Sequence, residues 1–290
     1  MTSSERIEGA LEAAVARSGA AGAPPRLAAA IRHSVFSGGA RVRPLLCLAV
    51  ADACGDDTPE LAEAAAAAIE LLHCASLVHD DLPCFDNAAT RRGKPSTHAA
   101  FGQPLAVLAG DALIVMAFET LAIAGAAAPL RLPTLMATMT WGVGMPSGIV
   151  AGQAWESEPF TPLEPYHRAK TGALFVAATM AGAVAAGEDP EPWVALGERL
   201  GAAYQVADDL LDALSNPEEC GKPTGSDSFL RRPSAVAELG VKGAVARLES
   251  LVASAIEAVP ECDGAEALRN LVWMQAKRLT PKQLARTAAA

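Results

Sequence analysis

The chain has 290 residues, a formal net charge of −10, and a composition that is 51% hydrophobic but only 4% aromatic. Alanine recurs throughout, and it is the strongest helix former because it loses no side-chain entropy on ordering. The acidic charge argues against a nucleic-acid partner, because phosphate backbones are bound by an excess of Lys and Arg. Composition therefore predicts an all-α protein that binds no nucleic acid.

Clusters of proline and glycine divide the chain into helical segments, for example at residues 37–44, 93–95 and 187–192. Several of the segments between them are long and apolar nearly all round, which is typical of helices buried in the core of a large protein. No internal repeat or low-complexity linker marks a boundary. We therefore expect residues 1–290 to form a single large helical domain.

The cysteines and the apolar stretches bear on location. The six cysteines show neither CxxC nor zinc-ligand spacing, and the amphipathic N-terminus lacks the apolar core of a signal peptide. We expect free thiols and a cytoplasmic location.

Residues 132–155 carry no formal charge and are long enough to span a bilayer, but prolines and glycines interrupt them. We interpret them as a buried pair of core helices and expect no membrane span.

Two long predicted helices end in acidic residues. The first, residues 59–82, has Thr58 as a suitable N-cap and ends at Pro83, which cannot continue a helix. The second, residues 191–214, stops before a Ser-Asn-Pro turn. The helix dipole disfavours negative charge at a C-terminal end, so both clusters need a compensating cation. Such local conflicts are typical of functional sites.

The aspartates of both clusters have the spacing of metal ligands. Asp208 and Asp212 are four residues apart, so they lie on one helix face. After the first helix, the turn that follows the proline can return Asp86 to Asp80. A solvated acidic helix end is the ordinary alternative for one such cluster, but two clusters favour a Mg²⁺ site completed by substrate phosphates. The candidate ligands are Asp80, Asp81, Asp86, Asp208, Asp209 and Asp212.

Basic residues follow each acidic cluster. Arg91 and Arg92 come after the first, and Lys222 and then Arg232 come after the second. Arginine donates forked hydrogen bonds to phosphate oxygens, and lysine provides a compact point charge. Solvated surface cations are the alternative. Acid followed by base on both helices favours a diphosphate bridged through Mg²⁺.

These segments carry a family resemblance. HDDLPCFDNAATRRGKPSTH at residues 79–98, and YQVADDLLD at 204–212 followed by GKPTGSD, resemble the two aspartate-rich motifs of the trans-prenyl diphosphate synthases. The first motif has the bacterial form, with four residues between the aspartate pair and the third aspartate. GGARVRP at 38–44 and GQAWE at 152–156 fall in family order. The RPSAVAELGV segment at 232–241 is similar to geranylgeranyl diphosphate synthases of photosynthetic, carotenoid-producing bacteria.

The resemblance implies a fold, a cofactor and a reaction. It implies central helices around a deep apolar cavity, a homodimer, and three Mg²⁺ ions in each site. The reaction would be ionisation of an allylic diphosphate, condensation with isopentenyl diphosphate, and loss of a proton. Direct metal ligands would be Asp80, Asp86 and Asp208, with Asp81, Asp209 and Asp212 holding metal-bound waters or a ligand position.

The resemblance also assigns substrate contacts. The allylic diphosphate would contact Arg91, Lys170 and Lys222, and isopentenyl diphosphate would contact Arg43, His73 and Arg92. Arg232 is a further candidate substrate contact, because it keeps the charge of a later lysine in the family pattern. Thr171 and Gln205 would turn oxygens toward the allylic cation. Ala40 departs from the family pattern, because it stands where a lysine is usual. We expect Arg41 to substitute for it in part. Glu156 stands where aspartate is common.

The length of the product should depend on small residues that precede the first acidic cluster in the same predicted helix. Ser76 lies one turn, about 5.4 Å, before Asp80 on the same face, Ala75 flanks it, and Leu72 is a turn deeper. Shorter-product relatives resemble this chain but carry a bulky aromatic side chain at one of the first two positions. Both are small here, which favours a C20 product over C15. The alternative is that they only pack a neighbouring helix.

Three other interpretations compete. A class I terpene cyclase would replace the second aspartate cluster with an Asn/Ser/Glu metal motif, which the sequence lacks. An HD-type phosphohydrolase, suggested by His79-Asp80, needs further histidine ligands, and the chain has five histidines in all. A catalytically inactive partner subunit would typically lose one aspartate cluster, and both are present.

Overall fold

The computed structural model describes residues 1–214 and 234–279, which form α-helices joined by short turns and one small hairpin. The helices are α1 (Ser3–Ser18), α2 (Pro25–Val35), α3 (Val42–Ala53), α4 (Pro59–Asp80), α5 (Thr97–Phe101), α6 (Gln103–Ala124), α7 (Leu132–Val143), α8 (Ile149–Ala154), α9 (Leu163–His167), α10 (Ala173–Ala186), α11 (Val194–Leu214), α12 (Ala235–Glu257) and α13 (Ala265–Leu279). The antiparallel hairpin pairs β1 (Thr90–Arg91) with β2 (Lys94–Pro95). The all-α prediction is confirmed.

Both predicted acidic helices are present. α4 starts with proline at its first position, as predicted, and ends at Asp80, with Asp81 as its C-cap. A 3₁₀ turn over Glu191–Trp193 leads into α11, which ends at Leu214. Both helices therefore close within a residue or two of the expected positions.

The core lies around α4 and α10. α4 packs against α3, α6 and α10, and α10 also packs against α7 and α11. Most side chains of these two central helices are alanines or other small apolar groups, so neighbouring backbones can approach closely. A second, smaller apolar cluster joins α11 to α12 through residues such as Ala203, Leu210 and Leu248. This packing brings the C-terminal ends of α4 and α11 to the region around α10.

Burial differs among the apolar helices. Three segments are long and apolar enough to cross a membrane, namely Pro59–Asp80, Gln103–Ala127 and Glu164–Ala186. The first and third are 83% buried over their most apolar window, whereas the second is 44% buried. The expectation that long apolar helices are buried therefore holds for α4 and α10 but fails for α6.

The uncharged stretch 132–155 is divided as predicted. α7 and α8 occupy most of it, and a turn that contains Met145 and Pro146 separates them. The predicted full burial of this pair is wrong, because Trp141, Met145 and Val150 are exposed. Each helix buries one face and presents the other at the surface.

Gly182 should be required for the contact between α10 and α3. A Cβ atom at this position would collide with the backbone carbonyl of Cys47 and crowd the side chain of Val50. We expect Gly182→Ala to lower the free energy of unfolding by about 1–3 kcal/mol through overpacking. Urea denaturation followed by circular dichroism measures the change.

Gly9→Ala on α1 is the matched control. Gly9 is exposed, and a Cβ atom added there would have no other group within 4 Å, so alanine should stabilise the helix by about 0.5–1 kcal/mol. Equal unfolding midpoints for the two variants would show that close packing at Gly182 does not limit stability.

Candidate active site

The first acidic cluster is assembled by a turn and a neighbouring helix. The backbone N–H of Asp86 donates to the carbonyl of Asp80 at 3.0 Å, so the chain returns to the end of α4 as predicted. Glu156 approaches from the turn after α8. One carboxylate oxygen from each of these three residues lies within 4.8 Å of the other two. Three carboxylates therefore converge at the end of α4.

Lys170 lies within this acidic cluster. Its Nζ atom is 2.5 Å from Oε1 of Glu156 and 3.6 Å from Oδ1 of Asp80. The hydroxyl of Tyr166 also donates to Glu156 at 2.5 Å. Burial raises the pKa of Asp80, and the Lys170 ammonium opposes that shift. Oδ1 of Asp80 is buried without a hydrogen-bond partner, so it can still accept a ligand.

The residues of this cluster fit a magnesium ion. Mg²⁺ prefers hard oxygen ligands and is usually held by one or two carboxylates, with waters and phosphates completing its shell. The convergent oxygens of Asp80, Asp86 and Glu156 supply such ligands, and Asp80 contributes an oxygen that accepts no hydrogen bond. The sequence predicts Asp80 and Asp86 as ligands, whereas it marks Glu156 only by its departure from the family pattern.

A π-turn holds Lys170 in place. Residues Arg168–Gly172 form this turn, and such insertions are frequent at functional sites. Gly152 of α8 packs directly on the backbone of Lys170, where a Cβ atom would collide. The next residue, Gln153, donates its side-chain amide to the carbonyl of Ser76 on α4 at 3.0 Å. The Gly-Gln pair thus joins α8 to both Lys170 and α4.

The hairpin positions Arg91. Its two-residue turn, Arg92-Gly93, has positive φ angles of 55° and 74°, as a type I′ turn requires. Arg91 donates to Oδ1 of Asp81 through Nε at 3.0 Å and also through Nη2. Burial raises the pKa of Asp81, and Arg91 opposes the shift. Arg91 and Asp81 were each predicted to face a ligand, and in this structure they pair with each other.

Arg43 and His73 form a second cationic region. The Arg43 guanidinium lies over the ring of Phe175 at 4.6 Å and near that of Tyr204 at 5.7 Å. Its Nη1 atom is 3.5 Å from Nε2 of His73. Burial, together with nearby arginines, lowers the pKa of His73 well below its usual value, so the ring is neutral. Nε of Arg43 and Nδ1 of His73 are buried without partners, and two such donors suit an anion.

The other two arginines of this region differ in their surroundings. Arg92 donates to the carbonyl of Gly38, and its guanidinium covers Gly39, where a side chain would collide with it. Arg41 donates to Glu70 at 2.7 Å, to Glu8 at 2.9 Å, and to a backbone carbonyl. All three guanidinium nitrogens of Arg41 therefore have protein partners. The predicted substitution of Arg41 for the lysine missing at position 40 would require these bonds to break.

The aspartates of the second acidic cluster, on α11, have different surroundings. Asp208 raises the pKa of Arg43, as do Tyr204 and Glu70, although burial lowers that pKa overall. The α11 cluster therefore acts on the same interior as α4. Asp209 is placed differently from the prediction of a metal-linked residue. It is 3% exposed, and its two oxygens accept hydrogen bonds from Gln205 and from the backbone of Ala235.

Some predicted residues lie elsewhere. Lys222 and Arg232 fall outside the described residues. The three chain-length positions, Leu72, Ala75 and Ser76, are buried in α4 at 1%, 1% and 7% exposure. A cavity of about 700 Å³ lies between α10, α11 and α12, and these three residues are not among its lining residues. They pack within the protein in this structure.

Sequence reasoning missed the aromatic residues of the site. Tyr204 and Phe175 enclose Arg43, and Tyr166 supports Glu156. One signal was available, because the chain has only two tyrosines and Tyr204 precedes Asp208 by one helical turn. Phe175 carries no such signal, because it has the pattern of an ordinary core residue in an apolar helix.

Comparisons with known proteins agree with this geometry. The family model described as polyprenyl synthetase matches residues 24–267. A geranylgeranyl diphosphate synthase of Cereibacter sphaeroides is 54% identical over 98% of this chain and 99% of its own length, and one of Rhodobacter capsulatus is 52% identical over 96% of each. A geranyltransferase of Helicobacter pylori, solved with magnesium and isoprenyl diphosphate, has a TM-score of 0.79 and 29% identity, covering 96% of this chain and 98% of that one.

The matched family region contains the acidic end of α4, the π-turn and the second cluster on α11. The sequence motifs, the helical fold and the full-length relatives agree. The chain belongs to the polyprenyl synthetase family.

Proposed function

We propose that this chain is a geranylgeranyl diphosphate synthase, a prenyltransferase that joins isopentenyl diphosphate to an allylic diphosphate and releases mainly a C20 product. The observation that carries the proposal is the convergence of the Asp80, Asp86 and Glu156 carboxylates, with Lys170 paired to two of them. The buried Arg43–His73 pair supports it as a candidate site for a second anion. Two relatives above 50% identity have that name. A cytoplasmic location belongs to the same proposal, and the cysteine spacing supports it.

Magnesium is the proposed cofactor, with three ions in each site. Asp80, Asp86 and Asp208 would hold it, and Glu156 is placed to add a further oxygen. Mg²⁺ bound there supplies the charge neutralisation that makes a diphosphate a good leaving group. The Helicobacter pylori relative, solved with magnesium, supports the choice of metal.

Side chains of the protein would bind the two diphosphate groups. Lys170 already lies among the carboxylates, and its ammonium can donate to a diphosphate bound beside them. The unpartnered N–H groups of Arg43 and His73 can hold the second diphosphate in a buried setting. Holding both substrates in one closed site brings the double bond close to the ionised carbon and keeps water away from the allylic cation.

A direct assay tests the proposal. With Mg²⁺, isopentenyl diphosphate and farnesyl diphosphate, the wild type should release geranylgeranyl diphosphate, measured by chromatography after phosphatase treatment. Asp80→Asn and Asp208→Asn should each lower kcat by more than about 100-fold, because each removes a carboxylate that would hold the Mg²⁺ needed to neutralise the leaving group. Circular dichroism should show unchanged folds.

Asp263→Asn is the matched control, since this aspartate is exposed between α12 and α13, and it should keep wild-type turnover. A cyclic hydrocarbon product would favour a terpene cyclase instead. Near-normal turnover in either cluster variant would exclude the two-cluster site.

Product length gives a second prediction. Ala75→Tyr places a large ring one turn from the acidic end of α4 and should shift the main product from C20 to C15 with little loss of turnover. Leu72→Ala removes bulk a turn deeper and should lengthen the product beyond C20. Chromatography of the products measures both. If both variants still released C20, the floor of the cavity would have to lie on another helix, and a thermal melt would check that each variant folds.

We also propose a homodimer, and α6 is its proposed interface. Leu108, Val115 and Ile123 recur at intervals of seven and eight residues along one face of α6, and all three are exposed, Val115 by 67%. Exposed apolar strips on a helix mark interaction surfaces. Family resemblance favours a second copy of the chain as the occupant of this face.

Light scattering coupled to gel filtration tests the interface. The wild type should have twice the mass of one chain, and Val115→Glu should shift it toward monomer by burying an unpaired charge. Met274→Glu on α13, at a position that is 54% exposed, should remain dimeric. A monomeric wild type that sediments with phospholipid vesicles would indicate a membrane surface instead.

A further inference from the structure

Three hydrogen bonds connect the start of α12 to the π-turn. The backbone N–H of Ala235 donates to Oδ2 of Asp209 at 2.7 Å. Nε2 of Gln205 donates to Oδ1 of the same carboxylate at 2.9 Å. The hydroxyl of Thr171 donates to Oε1 of Gln205 at 2.6 Å. The bonds form one unbroken chain, and Asp209 stands in its middle.

The chemistry of the groups fixes the direction of every bond. A backbone N–H can only donate, and an ionised carboxylate can only accept. Gln205 must therefore turn its NH₂ group toward Asp209, which leaves its carbonyl oxygen for Thr171. The threonine hydroxyl must then donate its single proton to that carbonyl. Both lone pairs of the threonine oxygen stay available to an electron-poor ligand.

The packing makes this arrangement stiff. Gly201, Gln205 and Asp209 follow at intervals of four, so they form one stripe along α11. Gly201 lies so close to Gly172 at the end of the π-turn that a Cβ atom would sit 2.7 Å from the Gly172 Cα. Asp208 and Asp212 occupy a different stripe. The second acidic cluster therefore presents its aspartates to two different neighbours.

We propose that Asp209 is a positioning residue, which sets the hydrogen-bond direction of Thr171 through Gln205 and is not a ligand of the metal. This inference rests on the proposed function, because it gives the oriented threonine oxygen an allylic cation to face. Lys170, the neighbour of Thr171, lies 3.6 Å from Asp80, so the oriented oxygen belongs to the same site. Asp209 affects the reaction only through the orientation of its neighbours.

Asp209→Asn tests the proposal with almost no change in shape. An asparagine has an NH₂ donor in place of one of the two carboxylate oxygens, so one of the bonds from Gln205 and Ala235 would face a second donor and must break or reverse. We expect kcat to fall about 10- to 100-fold, the range for loss of a charge-assisted hydrogen bond. KM for both substrates and the Mg²⁺ concentration for half-maximal rate should change less than about twofold, because both Asp209 oxygens are already bonded to protein donors and would contact neither substrate nor metal.

A double-mutant cycle with Thr171→Val gives the decisive comparison. If Asp209 acts through the threonine, Asp209→Asn should cost nothing more in the Thr171→Val background. Multiplied losses in the double variant would overturn the proposal. Gln205→Met removes the middle link while leaving the Ala235 bond intact, so it should reproduce the loss even if Asp209→Asn folds poorly. Normal turnover in Gln205→Met would also overturn it.

A binding measurement separates this inference from the proposed function. Mn²⁺ titrated in the presence of inorganic pyrophosphate, and followed by electron paramagnetic resonance, needs no turnover. Asp209→Asn should bind Mn²⁺ within about twofold of the wild type, whereas Asp80→Asn should bind it at least tenfold more weakly. Equal weakening in the two variants would make Asp209 a metal ligand. A wild type that binds Mn²⁺ but makes no prenyl product would contradict the proposed function alone.

Discussion

The structure depends on three carboxylates that lie close together at the C-terminal end of α4. Their mutual repulsion and the helix dipole both make this arrangement unfavourable. Asp80 is the last residue of the largely buried helix α4, and Asp86 and Glu156 are brought against it by a turn and by the segment after α8. Like charges at such distances are unfavourable without a cation. Lys170 supplies one positive charge from inside the cluster. Within the described residues, Lys170 therefore offsets part of the repulsion in this acidic site, and a divalent ion would add further positive charge.

Small residues make this arrangement possible. Gly152 lets α8 touch the backbone of Lys170, and Gly201 lets α11 reach the π-turn. The alanine-rich faces of α4 and α10 serve the same purpose in the core. A composition low in aromatic side chains is therefore a condition for the site, because bulky groups would hold the helices apart. The few aromatic residues near the site enclose Arg43 and support Glu156.

Much of this could be predicted from residue spacing. Proline and glycine positions marked the ends of α4 and α11, and the return of Asp86 to Asp80 followed from Pro83. The partners of the charged groups could not be predicted. The pairing of Arg91 with Asp81 depends on a hairpin whose two strands are each two residues long. Strands this short show no alternating pattern in the sequence, so the hairpin could not be predicted. The exposure of α6 was likewise hidden, since an apolar helix has the same pattern in a core and at an interface.

One of the hydrogen bonds of Asp209, the bond from Gln205, could have been suspected from the sequence. Its spacing of four from Gln205 equals the spacing of Asp208 from Asp212, but the family motif suggested separate roles for Gln205 and Asp209 and no contact between them. Residue type suggested a metal-linked residue, whereas in this structure both oxygens of Asp209 accept hydrogen bonds from protein donors. Those donors include a backbone N–H at the start of α12, a helix that belongs to the second described stretch of the chain.

The ion pair between Arg91 and Asp81 has a thermodynamic consequence. An arginine that neutralises a buried carboxylate is not free to hold an incoming anion, and the carboxylate is not free to approach a cation. Any event that draws one partner away releases the other. Cation and anion affinities at this position are therefore linked, and by reciprocity each must strengthen the other by the same factor.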